Sequence, residues 1–264
     1  LPAQPVILPL SGRATMSYQN SSPVQSQQIA SSPWAVAHAE ESERTAFIRR
    51  TYLHLAGAVG AFIGLEVMLF RAFPKAVDQF MVQLSQTPFS WLIVMLAFIG
   101  VSWIAESWAR STQSQGIQYL GLGLFVVAEA IIFLPLLWYA QRFSPPDTIS
   151  TAAILTGVIF GGLTVYTLTT RTDFSGLGRY LALGMFAAMG FILCSIIFGM
   201  NLSGSLFSSL MILLAAGYIL YETSNVMHRY RTNQHVAAAL ALFAAVALMF
   251  WYVLRLLIAI SGRD

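Results

Sequence analysis

The chain has 264 residues, of which 57% are hydrophobic and only 9% are charged. A soluble domain carries about 25% charged residues, so this composition excludes an ordinary soluble protein and predicts a polytopic membrane protein. The net charge is +3. This small excess of basic residues suits contacts with anionic membrane lipids, and it does not indicate nucleic-acid binding. The single cysteine, Cys194, excludes a disulfide within the chain and a cysteine-based metal site.

The chain is predicted to begin with a polar cytoplasmic arm over residues 1–43, followed by a membrane domain over residues 44–264. Gln, Ser, Pro and Ala dominate residues 1–38, a composition typical of a segment that is disordered in isolation. A charged region followed by an apolar run and a cleavage site is missing there, so no signal peptide is predicted. Met16 is a candidate for the true start of the protein.

Seven apolar stretches are each close to the twenty residues that a helix needs to cross a bilayer. They cover residues 51–70, 89–109, 117–140, 149–170, 177–200, 205–227 and 236–260. Short connections join them, with helix breakers such as Pro74 and Pro88. Seven spans joined by short loops predict an all-α, seven-helix transmembrane bundle.

The positions of the basic residues predict the orientation of this bundle. Nine arginines lie in the N-terminal region and in the three loops on the same side, against five basic residues on the other side. Because basic residues are enriched on the cytoplasmic side, the N-terminus is predicted in the cytoplasm and the C-terminus on the opposite side.

Small residues recur at the spacing of one helix turn in three of the predicted spans. The pairs are Gly60 and Gly64, Gly157 and Gly161, and Gly184 and Ala188. Small residues allow helix backbones to approach closely, so these three faces are predicted to be helix contacts.

The stretch 205–230 carries a stripe of small and polar residues at helical spacing. Its members are Gly204, Ser208, Met211, Ala215, Tyr218, Glu222, Asn225 and Arg229. In lipid such a stripe turns towards other helices or a wet cavity. An ionisable group at membrane depth costs about 2.5 kcal/mol or more, so Glu222 needs compensation. Two alternatives stay open: solvation by head groups and water, or an ion path or pH sensor formed with Asn225 and Arg229.

Three further acids lie within the predicted spans. Glu66 lies near the outer end of the first span at the depth of Arg255, which allows an ion pair, and is also near enough to an interface to reach water. Glu106 lies near the cytoplasmic end of the second span, at about the depth of Glu222, and is also within reach of water. Glu129 lies near the middle of the third span and is a candidate to line a wet cavity.

The loop TLTTRTDFSGLG, residues 167–178, leads into the fifth span. Asp173 or Ser175 is predicted to cap that helix by accepting from its free backbone N–H groups. Arg171 and Arg179 are predicted to meet acidic head groups or a cytoplasmic acid.

Catalytic motifs are missing from the sequence. It contains no HExxH zinc motif, no GxSxG and no phosphate-binding loop, and its four aspartates lie outside the predicted spans. The sequence therefore predicts neither an enzyme nor a metal or cofactor site.

Three stretches together resemble the Bax inhibitor-1 family, including its bacterial YccA-like branch. They are TLTTRTDFSGLG (167–178), YILYETSNVMHRY (218–230) and ALALFAAVALMFWYVLRLL (239–257). The positions that carry the likeness are Asp173, Phe174, Ser175, Gly178, Tyr221 and Thr223. The resemblance extends over about residues 44–260 and implies a seven-helix fold with the last helix at its centre.

The resemblance also implies functions: a pH-sensitive calcium leak, suppression of cell death, and, in the YccA-like branch, association with a membrane AAA protease in the bacterial inner membrane. The leak is expected to need two facing acids, one on each of the last two spans. Glu222 matches the first, whereas Ala245 stands at the position of the second. Two carboxylates at close range titrate as a coupled pair, and a single one facing alanine cannot.

Two hypotheses follow from the sequence. The first is a non-conducting accessory or regulatory subunit that binds other integral membrane proteins, such as a membrane AAA protease or a larger complex held through the N-terminal arm. The alternative is a pH-sensitive calcium or proton leak channel that uses Glu222 together with Glu106 or Glu129.

Overall fold

The computed structural model describes residues 36, 39–111, 114–170, 172–199 and 204–261. The arm predicted over residues 1–43, with its candidate start Met16, lies almost wholly outside the described residues, as does Arg171.

The described part of the chain folds into eight α-helices and contains no strand. They are α1 (Glu41–Ala72), α2 (Pro74–Ser85), α3 (Pro88–Ala109), α4 (Gln115–Phe143), α5 (Thr148–Thr170), α6 (Leu177–Phe198), α7 (Ser205–His228) and α8 (His235–Ser261). All of them except α2 are long and apolar enough to cross a membrane, which confirms the seven predicted spans and the all-α fold.

The predicted bounds agree with the structure to within three residues, except where α1 begins. That helix starts ten residues before the predicted span because its charged lead-in, with Glu41 and Glu43 in the first turn, continues the same helix. Acids in a first turn are favourable beside the positive end of the helix dipole. The short helix α2 was not predicted: Pro74 occupies its first turn, where the missing N–H costs nothing, and begins a helix instead of breaking one.

The last helix lies at the centre of the bundle. Helices α1, α3, α4, α5 and α7 all pack against α8. Leu242, Ala245, Met249 and Leu254 of α8 are fully buried. A helix that is apolar all round belongs in the interior, and this one shows the arrangement that the resemblance implied.

The helices run up and down, so that α1, α4, α6 and α8 begin where α3, α5 and α7 end; this is called the N-terminal end of the bundle below. At the opposite end Asp78 of α2 accepts from Trp138 Nε1 at 2.8 Å and from Arg142 Nη2 at 2.7 Å. These two contacts attach α2 to the last turns of α4.

Most of the predicted glycine contacts are wrong. A Cβ atom at Gly60, Gly64, Gly157 or Gly161 would meet no atom within 4 Å. Of the glycines in these three pairs, only Gly184 is closely packed, since its Cβ would lie 2.7 Å from Leu214 Cδ1 of α7. Helical spacing shows which residues share a face, but the spacing is the same whether that face meets a helix or lipid.

Candidate functional site

The inward direction of the polar stripe on α7 is confirmed for most of its length. Ser208, Met211, Ala215, Glu222 and Asn225 are all buried. The two ends differ: Gly204 is exposed at the start of the helix, and Arg229 is exposed just after its end. The guanidinium of Arg229 lies 5.9 Å from the centre of the Tyr221 ring, so it turns away from the interior.

Glu222 lies in a polar pocket of the interior. Only 7% of its surface is exposed. The Asn225 side-chain amide donates to Glu222 Oε2 at 3.3 Å, and the Tyr218 hydroxyl lies beside the same carboxyl group. The charged groups within electrostatic range are Glu106 of α3 and Arg110, the residue that follows this helix. The carboxyl group is therefore surrounded by an amide, a phenol and one guanidinium, and simple solvation by head groups does not describe it.

Glu106 and Arg110 form an ion pair one helix turn apart at the end of α3. Arg110 donates to Glu106 Oε1 from Nε at 3.1 Å and from Nη2 at 2.7 Å. Both side chains are about half exposed, at 49% for Glu106 and 52% for Arg110, which confirms that Glu106 reaches the surface. Arg110 also lies 5.9 Å from the centre of the Tyr230 ring. One cation therefore stands beside two acids, since Glu222 lies behind it.

Tyr230 closes this group from the segment that follows α7. The residue is buried, and burial, with the negative charge of Glu222 next in importance, raises the pKa of its phenol. Its carbonyl oxygen accepts from the backbone N–H of Val36 at 3.1 Å, and Val36 is itself fully buried. Together Glu106, Arg110, Tyr218, Glu222, Asn225 and Tyr230 form what is called the Glu222 cluster below.

Two of the three stretches that carry the family resemblance, residues 167–178 and 218–230, meet next to this cluster. The backbone N–H of Phe174 donates to Ser224 Oγ at 2.9 Å, and Ser224 Oγ lies 3.4 Å from Asp173 Oδ1. Asp173 Oδ1 also accepts from the backbone N–H of Ser175 at 2.8 Å. The loop before α6 is thus attached to α7 by Ser224, a residue outside the inward stripe that sequence reasoning missed.

The predicted capping role of Asp173 and Ser175 is wrong. The N-cap of α6 is Gly176, and no side chain accepts from its first backbone N–H groups. The Asp173 carboxylate instead closes a turn on Ser175, two residues on, which precedes the helix. Short-range pattern matching cannot separate these roles, since both use an acid next to free N–H groups.

Gly178 explains why the first turn of α6 lies so close to α7. A Cβ atom at this position would lie 2.7 Å from Cε2 of Tyr221. Tyr221 in turn stacks near Tyr218, with ring centres 6.3 Å apart. Thr223, on the opposite side, is fully buried with its hydroxyl close to that of Tyr52 in α1. The motif residues therefore connect α6, α7 and α1 around the Glu222 cluster.

The Asp173 link predicts a pH-dependent contribution to stability. Burial raises the pKa of Asp173, but the hydrogen bonds from Ser175, assisted by the nearby His228, outweigh it and hold the pKa below the ordinary value of 3.8. A lowered pKa stabilises the fold at neutral pH, and this contribution is lost as the pH falls below about 4.

Asp173→Ala is therefore expected to lower the free energy of unfolding by up to about 1 kcal/mol at pH 7. The difference from wild type should shrink at pH 3. Thermal unfolding in detergent micelles at both pH values measures it, with Asp147→Ala in another loop as the control. A difference that grows towards low pH would contradict the assignment.

The remaining two intramembrane acids lie apart from the Glu222 cluster. Glu66 is 7% exposed, and both its carboxyl oxygens are without a hydrogen-bond partner among the described residues. The ion pair with Arg255 and the access to water at Glu66 are therefore wrong: Arg255 lies 5.9 Å from the ring centre of Phe207. Equal depth does not imply facing sides.

Glu129 is deeply buried in α4, one turn from each of Phe125 and Phe133. Those two rings pack against Phe243 of α8 and Phe62 of α1. Among the described residues no charged group acts on Glu129, so it is not brought together with Glu222 or Glu106. Its proposed wet cavity remains a prediction.

The described residues contain no group of three or more His, Cys, Asp or Glu side chains that could hold a metal ion. Helix α8, which packs against α7 along its length, has no acid between His235 and Ser261. Helix α8 therefore supplies no carboxylate near Glu222, and the acid within electrostatic range of Glu222 is Glu106 of α3.

Comparison with known protein families gives a match over most of the chain. The family described as "Inhibitor of apoptosis-promoting Bax1" matches residues 44–263. The chain belongs to this Bax inhibitor family.

Proteins similar to this chain occur in bacteria and in plants. A membrane protein of Vibrio cholerae is 27% identical over 67% of this chain and 78% of its own length. Protein LIFEGUARD 4 of Arabidopsis thaliana is 29% identical over 78% of this chain and 82% of its own length. A protein of Pseudomonas aeruginosa is 25% identical over 86% of this chain and 95% of its own length.

Within this Bax inhibitor family member, Ala245 is the position at which the resemblance expected a second acid. It is fully buried in α8. Its methyl group supplies neither a charge nor a ligand oxygen, so the expected pair of coupled carboxylates is reduced to Glu222 alone.

Proposed function

We propose that this membrane protein is a non-conducting member of the Bax inhibitor family that acts by binding other integral membrane proteins. The observation that carries the proposal is the surroundings of the Glu222 carboxyl group. It faces the Asn225 amide and lies within range of the Arg110 guanidinium, with no acid on α8 from His235 to Ser261. Calcium prefers six to eight oxygen ligands, which this arrangement does not offer.

The charge balance of the Glu222 cluster supports a closed, structural role. Arg110 pairs directly with Glu106 and acts on Glu222 behind it. The half-exposed Arg110 guanidinium attracts the buried Glu222 carboxylate and repels an entering cation. The buried Val36 and Tyr230, joined by a backbone hydrogen bond, cover the same end of α7. These contacts favour a cluster that holds the end of α7 against its neighbours over one that conducts ions.

The contacts of such an accessory subunit are proposed to be its N-terminal arm and cytoplasmic loops. A bacterial inner membrane location with the N-terminus in the cytoplasm would place the arm, the Glu222 cluster and the loop 172–176 on one side. A membrane AAA protease is then a candidate partner.

A pH-sensitive calcium or proton leak is the second candidate. One observation favours it: two acids, Glu106 and Glu222, share a single cation, Arg110. If Arg110 left its position, the two carboxylates would stand without compensation at the N-terminal end of the bundle. A proton or a cation could then take its place.

Ion flux into liposomes distinguishes the two candidates. Purified full-length protein and its Glu222→Gln variant are compared at pH 6 and pH 8, with calcium and proton indicators inside the vesicles. No flux above protein-free vesicles is expected from either protein. Flux that changes with pH in wild type and disappears in Glu222→Gln would establish the leak instead.

The size of the complex that the protein forms after mild extraction from native membranes tests the binding function. The full chain, extracted in mild detergent, is expected to migrate in a complex larger than itself, and a variant without residues 1–35 to lose it. Co-purification of a membrane AAA protease with the full chain alone would identify that partner. A full chain that always migrates as a lone monomer would contradict the accessory role.

A further inference from the structure

A groove lies between α1 and α4 on the outer surface of the bundle. Its volume is about 570 Å³. Its side walls are aliphatic and include Leu53, Ala61 and Leu65 of α1 and Leu122, Val126 and Val127 of α4. It is separate from the Glu222 cluster, none of whose residues line it.

Two glycines create the groove. Gly57 of α1 and Gly123 of α4 both line it, and a Cβ atom at either would meet no atom within 4 Å. Side chains at these two positions would therefore project into open space and fill the groove. The groove exists because both positions are occupied by glycine.

The length of the groove slightly exceeds the depth of one lipid leaflet. Leu53 and Leu65 are twelve residues apart on α1, which corresponds to about 18 Å along the helix axis. One leaflet contributes about 15 Å of hydrocarbon, half of the bilayer core. A second membrane helix would need a groove that continues through both leaflets, so the length favours a lipid chain.

The end of the groove near the start of α1 is polar. His54 Nδ1 lies 2.7 Å from the Arg50 carbonyl oxygen, so this nitrogen carries the proton and donates it. His54 Nε2 forms a hydrogen bond with the Tyr119 hydroxyl, with a distance of 3.1 Å between the two atoms. Because the predicted first span begins at residue 51, this pair is expected at the level where the chains of a lipid join its headgroup.

Positive charge stands just beyond this polar end. Arg49 and Arg50 occupy the helix turn before His54, and both are exposed. Arg50 is also within electrostatic range of His235, whose ring centre lies 4.9 Å from that of His54. The groove lining contains no acid. A guanidinium at the membrane surface attracts the phosphate of an anionic lipid.

We propose that the groove between α1 and α4 is a binding site for one acyl chain of an anionic phospholipid, whose headgroup lies at Arg49 and Arg50. The site belongs to the leaflet at the N-terminal end of the bundle. A lipid bound there differs from the surrounding annular lipids, because the protein contacts its acyl chain in the groove and its headgroup at the two arginines.

Native mass spectrometry of the delipidated full-length protein tests the site. Wild type is titrated with phosphatidylglycerol and, separately, with phosphatidylcholine, and should bind one phosphatidylglycerol with the higher affinity. Gly57→Leu and Gly123→Leu fill the groove from opposite walls and should each weaken this binding at least tenfold. Gly157→Leu on α5 is the matched control, since its position is equally open but lies outside the groove, and it should bind as wild type does.

The headgroup is tested independently by Arg50→Gln. This variant should bind phosphatidylglycerol about fivefold more weakly and phosphatidylcholine unchanged, which corresponds to the loss of one basic residue near the membrane surface. Equal binding of the two lipids by wild type would overturn the proposal. Groove-filling variants that bind lipid as the Gly157→Leu control does would also overturn it. If these variants instead changed the oligomeric state and left lipid binding intact, the occupant of the groove would be a second helix.

Discussion

Replacing Gly121 with alanine is expected to lower the free energy of unfolding by about 2–3 kcal/mol, at the upper end of the usual cost of overpacking. The new Cβ atom would lie 2.5 Å from the Ala105 carbonyl oxygen and 2.6 Å from the Ala109 backbone nitrogen. These are backbone atoms of α3, which cannot rotate away as a side chain does. Helices α3 and α4 would have to separate, and this cost exceeds the roughly 1 kcal/mol that alanine gains over glycine in a helix.

Gly123→Ala is the matched control, because it makes the same change two residues along the same helix. Its Cβ would meet no atom within 4 Å, so only the gain in helix propensity remains. Thermal unfolding in detergent micelles should place Gly121→Ala well below wild type and Gly123→Ala at or above it. Equal midpoints for the two variants would mean that α3 and α4 are not in close contact at Gly121.

The variant Ala245→Asp restores the expected second acid and is predicted to have a large effect on stability and on ion flux. Ala245 is fully buried in the central helix. A carboxylate inserted there should cost about 3 kcal/mol of stability, comparable to an acid at the centre of a membrane helix. If the missing acid is the reason why the protein does not conduct, the same variant should gain pH-dependent ion flux in liposomes.

The isosteric variant Ala245→Asn separates charge from size. It overpacks the same site without a carboxylate, so it should lose less stability than Ala245→Asp and gain no flux. Flux that Ala245→Asp gains should also require Glu222, and should be absent from the double variant with Glu222→Gln. The opposite result is an Ala245→Asp protein that folds, as shown by its unfolding transition, and still conducts no ions. That result would show that the missing acid is not the reason why the protein does not conduct.

The arm, the partners and the compartment remain predictions from sequence. The predicted contact region 1–43 lies almost wholly outside the described residues, apart from Val36 and the first residues of α1 and its lead-in. Val36 is buried against the end of α7, so at least this point of the arm belongs to the membrane domain.

The seven spans and the inward face of α7 could be predicted from the sequence alone. Hydrophobic length specifies which segments cross a membrane, and the helical period specifies which residues of one helix share a face. Both are properties of a single segment, so Glu222 and Asn225 could be placed on a buried stripe before any neighbour was known. The depth of Glu106 could be matched to that of Glu222 for the same reason.

Which helix faces meet could be learned only from the packing of the whole bundle. Depth says nothing about rotation, and for that reason Glu66 and Arg255 lie at equal depth without pairing. Arg110 stands beside Glu222, Ser224 holds the Asp173 loop, and Gly121 but not Gly60 carries a close contact, because each depends on the packing of two or more helices. The packing of side chains between helices is a property of the whole bundle and is not encoded in the periodicity of one of them.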